Sequence, residues 1–127
     1  MIKYVSDPNW YRPDDPTTWP THMTGASVDL TLRSLDDGTL LDMGADFDQM
    51  DGLANTHHFE LAHGQGRLRA DDPRLRNRRL LHHAMASSGF TNYPQEFWHF
   101  DFGNQMYQLV RGANTGRPVE PAWYGAL

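Results

Sequence analysis

The chain has 127 residues, with 16 acidic against 11 basic side chains for a net charge of −5, and it contains no cysteine. That length suits one small domain with a modest core, and the lack of thiols excludes disulfides and thiolate metal sites. No apolar run approaches the ~20 residues of a membrane span, MIKYVSDPNW has no apolar signal-peptide core, and an acidic balance without a basic block argues against a nucleic-acid partner.

The first stretch, 7–21 (DPNWYRPDDPTTWPT), is rich in proline and aspartate and reads as an extended loop. Residues 27–32 (SVDLTL) are apolar at every second position and rich in β-branched side chains, which predicts a strand. Asp36-Asp37-Gly38 signals a turn, with 39–43 returning as a short hairpin partner. Residues 44–71 keep no steady period and are expected to be mostly loop, with a helical turn near 47–53. Asp72-Pro73 then opens a helix, Asp72 as N-cap and Pro73 at the first position. Leu81, Ala84, Met85 and Ser88 are expected on its packed face with Leu80 beside it, and Arg74, Arg76, Arg78 and Arg79 in solvent. Gly89 ends it. Residues 97–102 read as a strand, Gly103-Asn104 as a turn and 106–110 as a returning strand, followed by a tail anchored by aromatics. Helix plus short antiparallel strands gives an α+β class.

Two segments carry chemistry. In T-H-M-T-G-A-S-V-D, His22 and Asp29 are separated by six residues, and Thr24-Gly25 supplies a bend between them. Asp29 sits within the predicted strand and needs a partner, because an unpaired buried charge is expensive. A metal ion is one such partner and a lysine or arginine is another. In Y-P-Q-E-F-W-H-F-D-F, Glu96 precedes His99 by three positions, which in a regular strand puts them on opposite faces. They can serve one site only if the chain turns at Glu96, and Pro94 favours such a turn. His22, Asp29 and His99 then form a His₂Asp set with one vacant position, the pattern of a catalytic zinc. Glu96 is placed to act as general base. Asp101 shares the parity of His99 and could either orient its imidazole or lie exposed near the turn.

The segments T-H-M-T-G-A-S-V-D-L-T-L, L-D-D-G-T-L-L-D-M-G-A-D-F-D, T-H-H and E-F-W-H occur in this order. Together they resemble the zinc D-alanyl-D-alanine dipeptidases of the vancomycin-resistance type, a group related in fold to the hedgehog signalling domain. The likeness runs across most of residues 20–125. It implies a small antiparallel sheet with a flanking helix around a hedgehog/D-Ala-D-Ala peptidase-like core, with Zn²⁺ held by His22, Asp29 and His99 and with Glu96 as the catalytic base. By the same resemblance, Asp48 would hold the free ammonium of a small D,D-dipeptide substrate and Thr21 would contribute a substrate-binding hydroxyl. The implied activity is hydrolysis of D-alanyl-D-alanine in the cytoplasm of a bacterium, with no nucleic acid or membrane involved.

The likeness departs from the family upstream. Family members have a Tyr-Arg-Pro motif whose arginine stabilises the oxyanion. Here Tyr11-Arg12-Pro13 leaves only nine residues between Arg12 and His22, so Arg12 reads as a loop residue and the fold as one truncated at its N-terminus. The expected organisation is one zinc-peptidase domain over 1–127, with a Pro-rich loop to residue 20, a zinc-site core at 21–111 and a tail at 112–127. A homo-oligomer, or a partner supplying the missing part, would complete it. The alternatives are a D-Ala-D-Ala carboxypeptidase or other peptidoglycan peptidase, and a zinc-binding but catalytically impaired remnant. His57 and His58 are assigned a structural role, and His63, His82 and His83 a loop or solvated one.

Overall fold

In a computed structural model, which describes residues 12–15 and 19–125, the chain builds a three-stranded antiparallel sheet and three α-helices. The strands are β1 (Ser27–Asp29), β2 (Thr91–Asn92) and β3 (His99–Asp101), in the order β1-β3-β2. The helices are α1 (His58–Gly64), α2 (Pro73–Ser87) and α3 (Gln105–Thr115). This is an α+β architecture. All three residues of β3 are buried, because the strand is paired on both edges and covered on both faces. Phe100 joins Met43, Ala54, Leu81, Phe97 and Trp98 in the core. His99 and Asp101 alternate away from Phe100 into a polar layer.

The first strand is shorter than the alternation of 27–32 suggests. After Asp29 the Leu30 N–H still donates to the Trp98 carbonyl, but the chain then leaves the sheet. The 36–38 turn forms, yet its two arms meet only at the Arg33–Leu40 bridge, with Ser34 bonded to Thr39 and Leu41 to Leu32. A second correction concerns 44–71. The expected helical turn at 47–53 is a series of turns, and the helix is α1, at 58–64. Its apolar signal is thin, since only Phe59 is buried.

The strongest correction lies after β3. Residues 106–110 form the body of helix α3 and not a returning strand. Asn104 caps it by accepting the Tyr107 N–H, and Tyr107, Gln108 and Gly112 form the buried stripe at helical spacing. The chain beyond α3 returns to Gly103, whose carbonyl accepts the N–H groups of Trp123 and Tyr124. Gly103 has a φ of +74°, and a Cβ there would lie 2.7 Å from the Tyr124 ring, so a side chain at this position would displace the aromatic anchor.

Helix α2 begins as its sequence predicts, with Asp72 accepting the Arg74 N–H and Pro73 at the first turn. Its packed face differs. Leu75, Arg78 and Leu81 are buried, Leu80 is 55% exposed, and Ala84 and Ser88 are exposed. Arg78 is therefore not solvated. Its guanidinium donates to the carbonyls of Met43, Leu53 and Asn55 and lies over the rings of Phe97 and Phe59, 4.2 and 4.6 Å from their centroids. Burial brings its pKa down to about 10, still far above neutral, so it stays charged. A planar cation with five N–H donors suits this task, because all three of its hydrogen-bond partners are backbone carbonyls, which only accept.

Replacing Arg78 by Met would leave the Met43 and Leu53 carbonyls without donors, at roughly 1–3 kcal/mol for each that water cannot reach, while the Asn55 carbonyl keeps the His58 N–H. Arg78→Met is expected to lower unfolding free energy by about 3 kcal/mol or more in urea denaturation, whereas Leu80→Ala should change it by less than about 0.5 kcal/mol.

Candidate metal centre

The site is built on the register of β1 against β3, which sets Asp29 opposite His99 and Ser27 opposite Asp101. Directly opposed residues of an antiparallel pair present their side chains on the same face, with Cβ atoms ~5 Å apart. Their contact follows from this: His99 Nδ1 lies 3.0 Å from Asp29 Oδ1. His22 arrives from a 3-10 turn at Thr21–Thr24, closed by Gly25 in the left-handed region. The turn brings His22 Nε2 to 3.3 Å from the same Asp29 oxygen and sets its ring edge-on to that of His99, with centroids 4.7 Å apart.

Each of the three residues offers one ligand atom, and these atoms lie within 4.8 Å of one another. His22 Nε2, Asp29 Oδ1 and His99 Nδ1 are all buried and without a hydrogen-bond partner. They are within ion-pair distance, yet their geometry is not that of hydrogen bonds. Ligands at 2.0–2.1 Å from a tetrahedral zinc stand about 3.3 Å from one another, close to the spacings found here. The donor set fits a divalent ion of the zinc type, two imidazoles and a carboxylate with a fourth position open.

Glu96 comes to the same face by two successive turns. Its N–H donates to the Tyr93 carbonyl, and its own carbonyl accepts the His99 N–H. The chain is therefore not extended between Glu96 and His99, and the opposed parity of a strand does not apply. Glu96 Oε2 lies 3.7 Å from His99 Nδ1 and is another buried oxygen without a partner. Burial raises its pKa, with the charges of Asp29 and Asp48 adding to the shift and the two histidines opposing it. Asp48 is the remaining member. It holds a φ of +62°, which aspartate tolerates better than most side chains, and its Oδ1 is buried and unpartnered.

The far side of His99 is anchored. Its Nε2 lies 3.0 Å from Asp101 Oδ2, and Asp101 also accepts from Ser27 Oγ and Asn104 Nδ2. Asp101 is fully buried, so of the two placements open to it from sequence, the orienting one is observed. A hydrogen on Nε2 leaves the lone pair on Nδ1, facing Asp29 and His22. Burial by itself would lower the His99 pKa, but Asp101 and Asp29 outweigh it and lift the value to about 9. Asp29 shows the converse balance: burial pushes it up, while His22 and His99 bring it down to about 2. His22 is raised, chiefly by Asp29.

Thr21 Oγ1 is 3.4 Å from His99 Nε2. Arg12 is exposed, its carbonyl accepting from the Asp15 N–H and Trp19 Nε1, and Trp10 and Tyr11 lie outside the described residues. His57 and His82 line a separate cavity of about 230 Å³ between α1 and α2, and His63 Nδ1 is 2.9 Å from the Leu68 carbonyl. Asn92 escaped the sequence reading altogether. Its place two residues before Pro94 is the only hint, an amide at the start of a turn.

A family profile described as D-ala-D-ala dipeptidase matches residues 2–111. Among curated relatives, a D-alanyl-D-alanine dipeptidase of Synechocystis is 36% identical over 122 residues, covering 93% of this chain and 49% of the relative. Relatives of the same name from Enterococcus faecalis and Escherichia coli are 41% and 36% identical, each over 68% of this chain and 39% and 40% of their own lengths. The chain thus spans about half, or less, of the length of the curated relatives it matches.

A divalent metal ion added to chelator-treated protein is expected to raise the melting temperature with a one-to-one stoichiometry. Saturation at ~1,000 times the dissociation constant corresponds to ~4 kcal/mol. Differential scanning calorimetry with and without metal measures it, and His99→Ala should abolish the increment.

Proposed function

The chain belongs to the D-Ala-D-Ala dipeptidase family of peptidases, and from that premise we propose that it hydrolyses the dipeptide D-alanyl-D-alanine with zinc held by His22, Asp29 and His99. The carrying observation is the convergence of buried, partnerless polar atoms from these three residues with Glu96 Oε2 beside them. Zinc held there would acidify a bound water and polarise a carbonyl.

The chain's own residues do the rest. Glu96 takes a proton from the attacking water and returns it to the departing amine. A carboxylate withdrawn from solvent suits both halves of the transfer, since burial makes it a stronger base. Asp48 binds the substrate ammonium through the oxygen that has no partner within the protein. That preference favours a free dipeptide over a longer peptidoglycan stem, which brings no amine to this spot. Thr21 lends its hydroxyl to the substrate, and Asp101 keeps the His99 ring from rotating. The reading also includes a core of the hedgehog and D-Ala-D-Ala peptidase type, action as one domain, and a place in the bacterial cytoplasm.

With zinc supplied, release of D-alanine from D-Ala-D-Ala is expected to fall by about 10²–10⁴-fold in Glu96→Gln while one zinc per chain is retained. Equal rates in the two proteins would remove Glu96 from the chemistry, and stoichiometric zinc with no turnover of any D,D-peptide would favour the impaired-remnant alternative. Asp48→Asn should raise KM for the free dipeptide by at least tenfold and leave hydrolysis of N-acetyl-D-Ala-D-Ala unchanged at its low level.

A further inference from the structure

We propose that Asn92 is a positioning residue that fixes Glu96 relative to His99, with Thr56 holding Asn92 in turn; the proposal rests on the functional reading above. The segment from Asn92 to His99 is a closed loop. At its neck the Tyr93 N–H donates to the His99 carbonyl, and within it the Glu96 N–H donates to the Tyr93 carbonyl and the His99 N–H to the Glu96 carbonyl. The Asn92 side chain crosses this loop. Its Nδ2 lies 3.0 Å from the Glu96 carbonyl and 3.0 Å from the His99 carbonyl.

Two carbonyl acceptors on one side-chain atom require that atom to be the NH₂ group, so the orientation of the amide is determined by its partners. Its Oδ1 then accepts from the Thr56 hydroxyl at 2.6 Å. Thr56 is itself tied to the loop through its N–H, which donates to the Pro94 carbonyl. Asn92 thus spends both amide hydrogens on the peptide groups of the two residues whose side chains must stay in register. In β2 it faces Phe100 across the sheet, so its backbone is anchored to the strand that carries His99. A one-ångström shift in such a pairing is enough to cost activity, and outer partners of a metal ligand commonly contribute 10–100-fold to affinity or rate.

Asn92→Asp is the decisive variant, because it preserves shape and the acceptor for Thr56 but removes the paired N–H donors. It is expected to weaken zinc affinity about tenfold in chelator competition, to move the visible bands of the cobalt-substituted protein, and to lower kcat for D-Ala-D-Ala 10–100-fold with KM within about twofold. Thr56→Val should shift the same readouts about threefold, and Thr56→Ser should restore wild-type values. The Ser rescue separates hydroxyl-mediated positioning from simple packing. Should Asn92→Asp not fold, the Thr56 pair decides, and Thr56→Val indistinguishable from wild type overturns the proposal. Wild-type zinc affinity, cobalt spectrum and kcat in Asn92→Asp would overturn it as well. If the wild-type protein binds zinc but turns over no dipeptide, the functional reading fails; zinc affinity and the cobalt spectrum then still judge the role of Asn92.

Discussion

The pairing of three residues on β1 with three on β3 is the constraint from which the rest of the site follows. Ser27, Val28 and Asp29 face Asp101, Phe100 and His99. Because side chains alternate along each strand, this one register sends Phe100 into the core and sends His99, Asp101, Ser27 and Asp29 together to the polar face. A slip of one residue would exchange the two sets, setting Phe100 in the polar layer and His99 and Asp101 against the apolar core. The hydrophobic demand of Phe100, 1% exposed, therefore also enforces the placement of the candidate ligands.

The polar face is finished on one side and open on the other. Around Asp101 every partner is satisfied: Ser27, Asn104 and His99 all direct hydrogens to it, and Asn104 at the same time caps α3. Toward Asp29 the situation reverses, with buried nitrogens and oxygens facing one another without hydrogen bonds. Each such atom costs on the order of 1–3 kcal/mol in the folded state. A protein that satisfies one half of a network fully and leaves the other half unpaired has a local stability deficit, and such deficits concentrate where function needs an open valence.

Two loops reach this centre, and each is held by side-chain donors on backbone carbonyls. Arg78 grips the carbonyls of Met43, Leu53 and Asn55, spanning the stretch that presents Asp48. Asn92 does the same on a smaller scale for the loop presenting Glu96. Neither loop has a ladder of its own to define its shape. A donor fixed on a regular element can impose one, and α2 and β2 are the elements that carry these donors. Regular secondary structure is sparse here, and irregular segments are made specific by such clamps.

Much of the chemistry was legible in the chain itself. Asp72-Pro73 states a helix start and Asp36-Asp37-Gly38 a turn, while His22, Asp29, Glu96 and His99 point to a metal-and-base constellation only when their spacing is joined to the family resemblance; the structure brings the first two together with His99. Where a segment's outcome depended on what it packs against, the chain alone misled. Residues 106–110 became helix because Asn104 is buried against Asp101 and so is positioned to cap it. Arg78 turned inward because the loop at 43–55 offered three carbonyls. Glu96 joined His99 because Asn92, Thr56 and the Tyr93 backbone fold the intervening residues into turns. Only the tertiary structure could decide these, since each depends on hydrogen-bond partners that no periodicity within the segment encodes.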